Sequence, residues 1–300
     1  MGTIAPFIKT KKNRSLIWFL LPITVYLLVF FLYPVIYDIY ISFFSFKLGE
    51  KAVFVGLGNY QAMLADFQYL GSLKTTLVFV ISTVSAELLL GMIIALLLNN
   101  EHRLAEGIRT IILIPTVFTP LVAGLVWKAL YHPDLGMFTY YLRQFGLDIG
   151  RGLTVERYSA LFSVVLVDVW EWTPLMVIIL LAGLKSIPSE PYEAAMLDGA
   201  SPVQVFFMIT LPLLRPTAVV ALLIRTLDAL KIFDIIWAIT GGGPGTVTTV
   251  ANLRIYEVGM QHLRIGYAAA LSNVLLVAGV VVGIIFIQLL YQDLFKEKKV

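Results

Sequence analysis

The chain has 300 residues, of which 59% are hydrophobic and only 14% are charged. A soluble domain with so little charge would not cover its own surface, so the bilayer has to be the solvent for most of the sequence. The net charge of +3 is too small to mark a nucleic-acid partner, and the lack of cysteine excludes disulfides, thiolate metal sites and cysteine nucleophiles.

Six apolar runs are long enough to span a bilayer, near residues 16–38, 73–98, 108–130, 159–182, 214–239 and 268–291. They predict an all-α polytopic membrane protein built as a single transmembrane domain over residues 1–300. The first run follows Lys9, Lys11, Lys12 and Arg14. It is too long for a signal core and lacks a small-x-small cleavage site after it, so it reads as a retained first span. An even number of spans puts both termini on one side. That side carries eleven basic residues, including Arg103, Arg109, Lys185, Arg215, Lys296, Lys298 and Lys299, against seven in the opposite loops. The basic side is therefore expected to be cytoplasmic.

Loops near 44–72, 131–158 and 240–267 are richer in Gly, Asp and Asn than the spans, and 99–107 is a short polar turn. His102, His132 and His262 fall in different loops, so no histidine metal cluster is expected. Prolines interrupt several spans: Pro22 and Pro34 in the first, Pro115 and Pro120 in the third, Pro174 in the fourth. Each either kinks a bundle helix or breaks one beside a permeation path, and proline alone does not separate the two.

The internal loop 183–213 is long and mixed in character. Ser189 is placed to cap a short helix, with Pro191 in its first turn and Gly199 at its end. Ser201-Pro202-Val203-Gln204 has the pattern of a capping box opening a second helix, apolar through Val205, Phe206, Phe207 and Ile209 and ended by Pro212. The expected product is a helix–glycine–helix elbow. Such an elbow either inserts into a groove on a partner or lies on the lipid headgroups.

Charges inside spans are costly and face a bundle interior or water. Span four carries Asp168, Glu171 and Trp172, and span five carries Arg225, Asp228, Lys231 and Asp234 at three-residue spacing. One reading is internal salt bridges bracing the bundle. The other is a polar cavity wall, in which carboxylates accept hydroxyl hydrogens, Arg225 donates, and Trp172 or Trp237 offers a ring face for stacking. Glu87, alone in span two among Ser82, Thr83 and Ser85, reads as an interhelix contact. No G-x4-G-K-[ST] phosphate loop is present and no nucleophile–base pair stands out, so no hydrolysis is expected from this chain.

Glu193-Ala194-Ala195, three residues, Gly199, nine residues, then Ile209-Thr210-Leu211-Pro212 is similar to the E-A-A-x3-G-x9-I-x-L-P signature of ABC importer permeases, matching every fixed position. Phe54-Val55-Gly56-Leu57-Gly58-Asn59-Tyr60, Gly124-Leu125-Val126-Trp127 through Gly136, and Phe233-Asp234 before Thr240-Gly241-Gly242-Gly243-Pro244 resemble the carbohydrate branch of that family. The relatives often carry Asp where this chain has Gly58. The resemblance implies a six-span permease with a cytoplasmic coupling-helix elbow between spans four and five. It implies that Glu193, Ala194, Ala195, Gly199, Ile209, Leu211 and Pro212 form the contact to an ATPase. It also tilts Asp168, Glu171, Trp172, Arg225 and Asp228 toward the solute path.

The implied partners are a second, dissimilar permease, two ATP-binding subunits or domains, an extracellular or periplasmic solute-binding protein, and membrane lipid. ATP and Mg are expected on the partner ATPase and no cofactor on this chain. The implied setting is a bacterial or archaeal cytoplasmic membrane, and the implied cargo a sugar or sugar-like solute moved by alternating access. The alternatives are the same architecture carrying a polyol, glycerol phosphodiester or amino acid, an ion-coupled secondary transporter using Asp228 and Lys231, or a membrane scaffold without transport.

Overall fold

The computed structural model describes residues 12–99, 103–147 and 150–296. Lys9, Lys11, His102, Lys298 and Lys299 lie outside the described residues. The protein is mostly helical, and among the described residues five helices are long and apolar enough to cross a membrane: Trp18–Ile41, Phe67–Asn99, Ala160–Ser186, Pro202–Ala229 and Ile265–Leu290.

In chain order, α1 (Lys12–Leu27) runs through a widened turn at Leu28–Leu32 into α2 (Tyr33–Ile41). A short antiparallel pair follows, β1 (Phe44–Ser45) with β2 (Val53–Phe54), registering Phe44 opposite Phe54. Then come α3 (Gly58–Leu64), α4 (Phe67–Asn99) and α5 (Arg103–Ile112). After a 3₁₀ turn at Ile114–Val117 the chain forms α6 (Pro120–Leu130) and α7 (Met137–Gln144). Next are α8 (Ala160–Ser186), α9 (Glu190–Leu197) and α10 (Pro202–Val205). A widened turn at Phe206–Thr210 leads into α11 (Leu211–Ala229), followed by α12 (Asp234–Ile239), α13 (Ala251–Tyr256) and α14 (Ile265–Lys296).

Three expectations are corrected. The run 108–130 is not one helix but α5, a 3₁₀ turn and α6. Pro115 opens the 3₁₀ turn, and Pro120 forces Thr119 before it into extended backbone (ψ 145°), which ends any helix. At 1.5 Å per residue, α6 reaches only about 16 Å, roughly half a hydrocarbon core. The run 214–239 also divides, between α11 and α12, so Lys231 and Asp234 do not continue the helix that holds Arg225 and Asp228. No proline or glycine announces that break. The packing gives its reason: α12 lies on α6 over Gly124, where an added Cβ would come within 2.6 Å of Ala238 Cβ. Finally, Pro212 does not end the second elbow helix. The preceding widened turn bonds Leu211 N–H to Phe206 O, five residues back, so the proline enters where the regular ladder is already displaced.

The chain forms two compact units, each described on its own. The first runs up to Ala62 and includes Val258–Asn273. There Asn59 Nδ2 donates to Ser42 O (2.8 Å) and Phe44 O (2.9 Å), which fixes the turn after α2. Leu48 N–H donates to Leu263 O, and Gly266 N–H to Phe46 O; a Cβ at Gly266 would overlap Phe44 O.

The second unit is Met63–Glu257 with the chain from Val274. Its centre is the long contact between α4 and α8, with α11 against both. Glycine permits the closest approaches: a Cβ at Gly91 would stand 2.7 Å from Met176 Cγ, and one at Gly183 2.7 Å from Leu214 Cδ1. One apolar cluster packs Met176, Leu180, Leu184, Leu214 and Ala221 with Ala95. A second gathers Phe79, Val164, Val167, Ile235, Ile236 and Leu253.

Candidate functional site

The α4–α8–α11 contact carries a polar knot between apolar layers. Glu87 sits on α4, Asp168, Glu171 and Trp172 on α8, and Arg225 and Asp228 on α11. Asp168 and Glu171 are one turn apart, as are Arg225 and Asp228, so each pair lies along one face of its helix.

Arg225 is the hub. Its Nε donates to Glu87 Oε2 at 2.6 Å and its Nη2 to Glu87 Oε1 at 2.7 Å, a bidentate fork. The same Nη2 donates to Asp168 Oδ2, and Nη1 to Asp228 Oδ2, each at 2.8 Å. Four of the five guanidinium N–H bonds are thereby committed. The Arg225, Glu87 and Asp168 side chains are at most 1% exposed, whereas Asp228 is 46% exposed. The guanidinium carbon also lies 5.0 Å from the Trp172 ring centroid, within cation–π range.

Glu171 differs from its neighbours. It is 1% exposed, and neither carboxylate oxygen has a hydrogen-bond partner. The second oxygen of Asp168 is likewise buried without one. The structure thus brings Asp168, Arg225 and Asp228 together with Glu87, places Trp172 over the hub, and leaves the Glu171 carboxylate unmatched. Glu87, expected as an interhelix contact, is one, joining α4 to α11; its partner was the part left open. The available signal was charge matching: a lone carboxylate deep in a span needs a cation at similar depth, and Arg225 supplies it.

The second feature is the exposed segment 189–212. Ser189 stands at the start of α9 but makes no side-chain cap bond, correcting that expectation; its backbone is already helical there (φ −77°, ψ −25°). At the other end, Gly199 N–H bonds Met196 O and Ala200 N–H bonds Ala195 O. This is a Schellman closure, with Gly199 at φ +73°. The predicted capping box forms: Ser201 N–H donates to Gln204 Oε1 at 2.8 Å, and Gln204 N–H to Ser201 Oγ at 3.4 Å. Tyr192 Oη donates to Thr210 Oγ1 at 3.2 Å, tying the two arms together. No residue of α9 is buried. Glu193, Ala194 and Gly199 are exposed, Ala195 and Ile209 half-buried, and Leu211 and Pro212 exposed. Met196 and Leu197 stand 68% and 90% exposed beside them. The segment is well capped internally and apolar externally, a shape suited to being covered.

Residues 87–296 match the model of the binding-protein-dependent transport system inner membrane component family. The trehalose/maltose transport system permease protein MalF of Thermococcus litoralis is 37% identical, covering 90% of this chain and 92% of that protein. The sn-glycerol-3-phosphate transport system permease protein UgpA of Brucella abortus is 35% identical, covering 97% of this chain and 98% of its own length. Among solved structures, a chain of a bacterial alginate ABC transporter, crystallised with an alginate pentasaccharide-bound periplasmic protein, has the same fold. It aligns with a TM-score of 0.79 at 24% identity, over 92% of this chain and 93% of that one.

Proposed function

The chain belongs to the family of binding-protein-dependent transport system inner membrane components and is the permease of an ABC importer, and from that premise we propose how its two polar regions divide the work. The segment 189–212 is the cytoplasmic coupling elbow of a six-span permease, with both termini on the same side as the elbow. Glu193 pairs with a basic residue of an ATP-binding subunit, while Ala194, Ala195 and Gly199 let that partner approach closely. Ile209, Leu211 and Pro212 carry the movement into α11. ATP and Mg²⁺ belong to two ATP-binding partners. A second permease completes the pathway, lipid covers the exposed apolar flanks, and an external binding protein delivers the solute.

The observation that carries this reading is the exposure of the elbow's apolar tip, Met196 and Leu197, on a turn closed and capped from within. An apolar surface held out by its own hydrogen bonds is built for a partner. Asp168, Glu171, Trp172, Arg225 and Asp228 border the solute path in this proposal. Arg225, with four donors committed, holds the wall together, while the unmatched Glu171 oxygens face the solute. The cargo class is a sugar or a small sugar-related ester, as the names of the relatives suggest.

The test is a tagged pull-down from native membranes with an ATPase assay of the eluate. An ATPase is expected to co-purify with the parent and to be lost or uncoupled with Glu193→Ala plus Gly199→Pro. Recovery of the chain without any ATPase, across several mild detergents, would sink the coupling reading.

A further inference from the structure

Resting on the solute-path reading above, we infer that the buried polar knot selects cargo by charge, admitting hydroxyl-bearing solutes that are neutral or cationic and rejecting those with a phosphate, sulfonate or carboxylate. Glu171 is the residue that does the selecting.

The inference starts from the charges that face one another across α4, α8 and α11. Glu87, Asp168, Glu171 and Asp228 supply four carboxyl groups, and Arg225 supplies one guanidinium. Asp234, at the start of α12, adds a further negative charge within electrostatic reach of Glu171, whereas Lys231 is exposed in the break beyond α11 and is not among the charges that act on Glu171. An anionic solute needs a cationic donor that is free to turn toward it. Arg225 is not free: it is 1% exposed, and carboxylates hold four of its five N–H bonds. Drawing it toward a phosphate would strand Glu87 and Asp168 as buried charges.

Glu171 offers the opposite chemistry. Both its oxygens are buried acceptors without a partner, and it lies within electrostatic reach of Asp168, Arg225 and Asp228. Buried acceptors are almost always matched in native proteins, so an unmatched pair inside a transporter points to a donor that arrives with the cargo. Sugar hydroxyls and ammonium groups are such donors; phosphate and carboxylate oxygens are not. A site built around acceptors discriminates strongly against a solute that cannot donate to it. Trp172 beside them adds a ring face of the kind that packs on the apolar side of a pyranose. Of the two cargo types named for the relatives above, the site therefore fits the neutral glycoside and not the phosphate monoester.

The absence of cysteine from the natural sequence makes this directly measurable. Leu175 lies four residues after Glu171 on α8, one turn along the same face, and is half-buried. Leu175→Cys would be labelled in membrane vesicles carrying the whole complex, in nucleotide-free and ATP-trapped states. Cationic and anionic methanethiosulfonates of matched size are compared, each normalised to Tyr158→Cys, which is 95% exposed in the loop before α8.

The expected result is a normalised preference of about tenfold or more for the cationic reagent, reduced severalfold by Glu171→Gln. A preference near one, a preference for the anionic reagent, or no reaction at Leu175→Cys in either state would overturn the inference. If Leu175→Cys fails to assemble, Trp172→Cys reports on the same wall. Accumulation of glycerol 3-phosphate above that of maltose in ATP-energised vesicles would also overturn it. The two readings fail separately. Loss of charge preference with the ATPase still bound removes only this inference, and preference without any co-purifying ATPase removes only the coupling assignment.

Discussion

The knot around Arg225 and the elbow around Gly199 are both polar interruptions in an apolar chain, and they resolve their polarity in opposite directions. In the knot, charges are buried and turned on one another across three helices, and Arg225 reaches Glu87, 138 residues away in sequence. In the elbow every hydrogen bond is local, spanning 18 residues at most, and the apolar side chains point outward. One region draws its stability from distant parts of the same chain. The other is complete on its own and leaves its apolar surface for another molecule. Substitution should therefore act on stability in the first and on assembly in the second.

The largest expected effect tests the first half of that contrast. Arg225→Met removes the cation from two fully buried carboxylates, and an uncompensated buried charge costs about 3–5 kcal/mol. The variant should lose most of its monodisperse peak in fluorescence-detected size exclusion, or melt far below the parent. Adding Glu87→Gln and Asp168→Asn should restore much of the loss, because neutral amides remove the stranded charge while keeping the shape. Failure of that rescue would mean that Arg225 acts through packing and not through charge.

The contrast also explains what was legible in the sequence. The elbow was readable almost residue by residue, because capping boxes and C-terminal glycines are local patterns with local physics. Even there, Ser189 makes no cap bond and Pro212 is no stop, since its tolerance depends on the widened turn before it, which no residue pattern announces. The spans are legible from length and hydropathy, but the third and fifth runs, continuous in hydropathy, are divided in the fold. Pro115 and Pro120 did signal the first break; the second depends on α12 reaching α6 over Gly124, a contact between residues more than a hundred positions apart. The knot was half legible. Charges at three-residue spacing mark the helix faces and Glu87 reads as the interhelix contact it is, but which carboxylate meets Arg225 is a tertiary fact.

Intermediate effects probe the elbow's self-sufficiency. Gly199 sits at φ +73° with open space around it, so Gly199→Ala meets no clash and costs only the left-handed strain of an L residue, about 1–2 kcal/mol. Ser201→Ala removes one arm of the capping box and should cost about 1 kcal/mol. Both losses should appear in hydrogen exchange of residues 190–205 and leave exchange in α4 and α8 unchanged. Faster exchange in α4 or α8 would show that the elbow and the knot are energetically one structure, and the comparison would fail.

The smallest effect on stability should accompany the clearest effect on assembly. Leu197 is 90% exposed, and Leu197→Ser removes apolar surface that touches little within the chain. Substitutions at such positions change stability by about 0.5 kcal/mol or less, so the melting temperature of the isolated permease should hold. The same leucine, buried against a partner, would contribute roughly 1.5–3 kcal/mol to association, enough to lower affinity by tenfold or more. ATPase recovery in the pull-down should therefore fall while the amount of folded permease does not. A drop in both would place Leu197 in the permease's own fold. A drop in neither would place the elbow's tip on the lipid headgroups and move the partner contact to Glu193, Ala194 and the turn at Gly199.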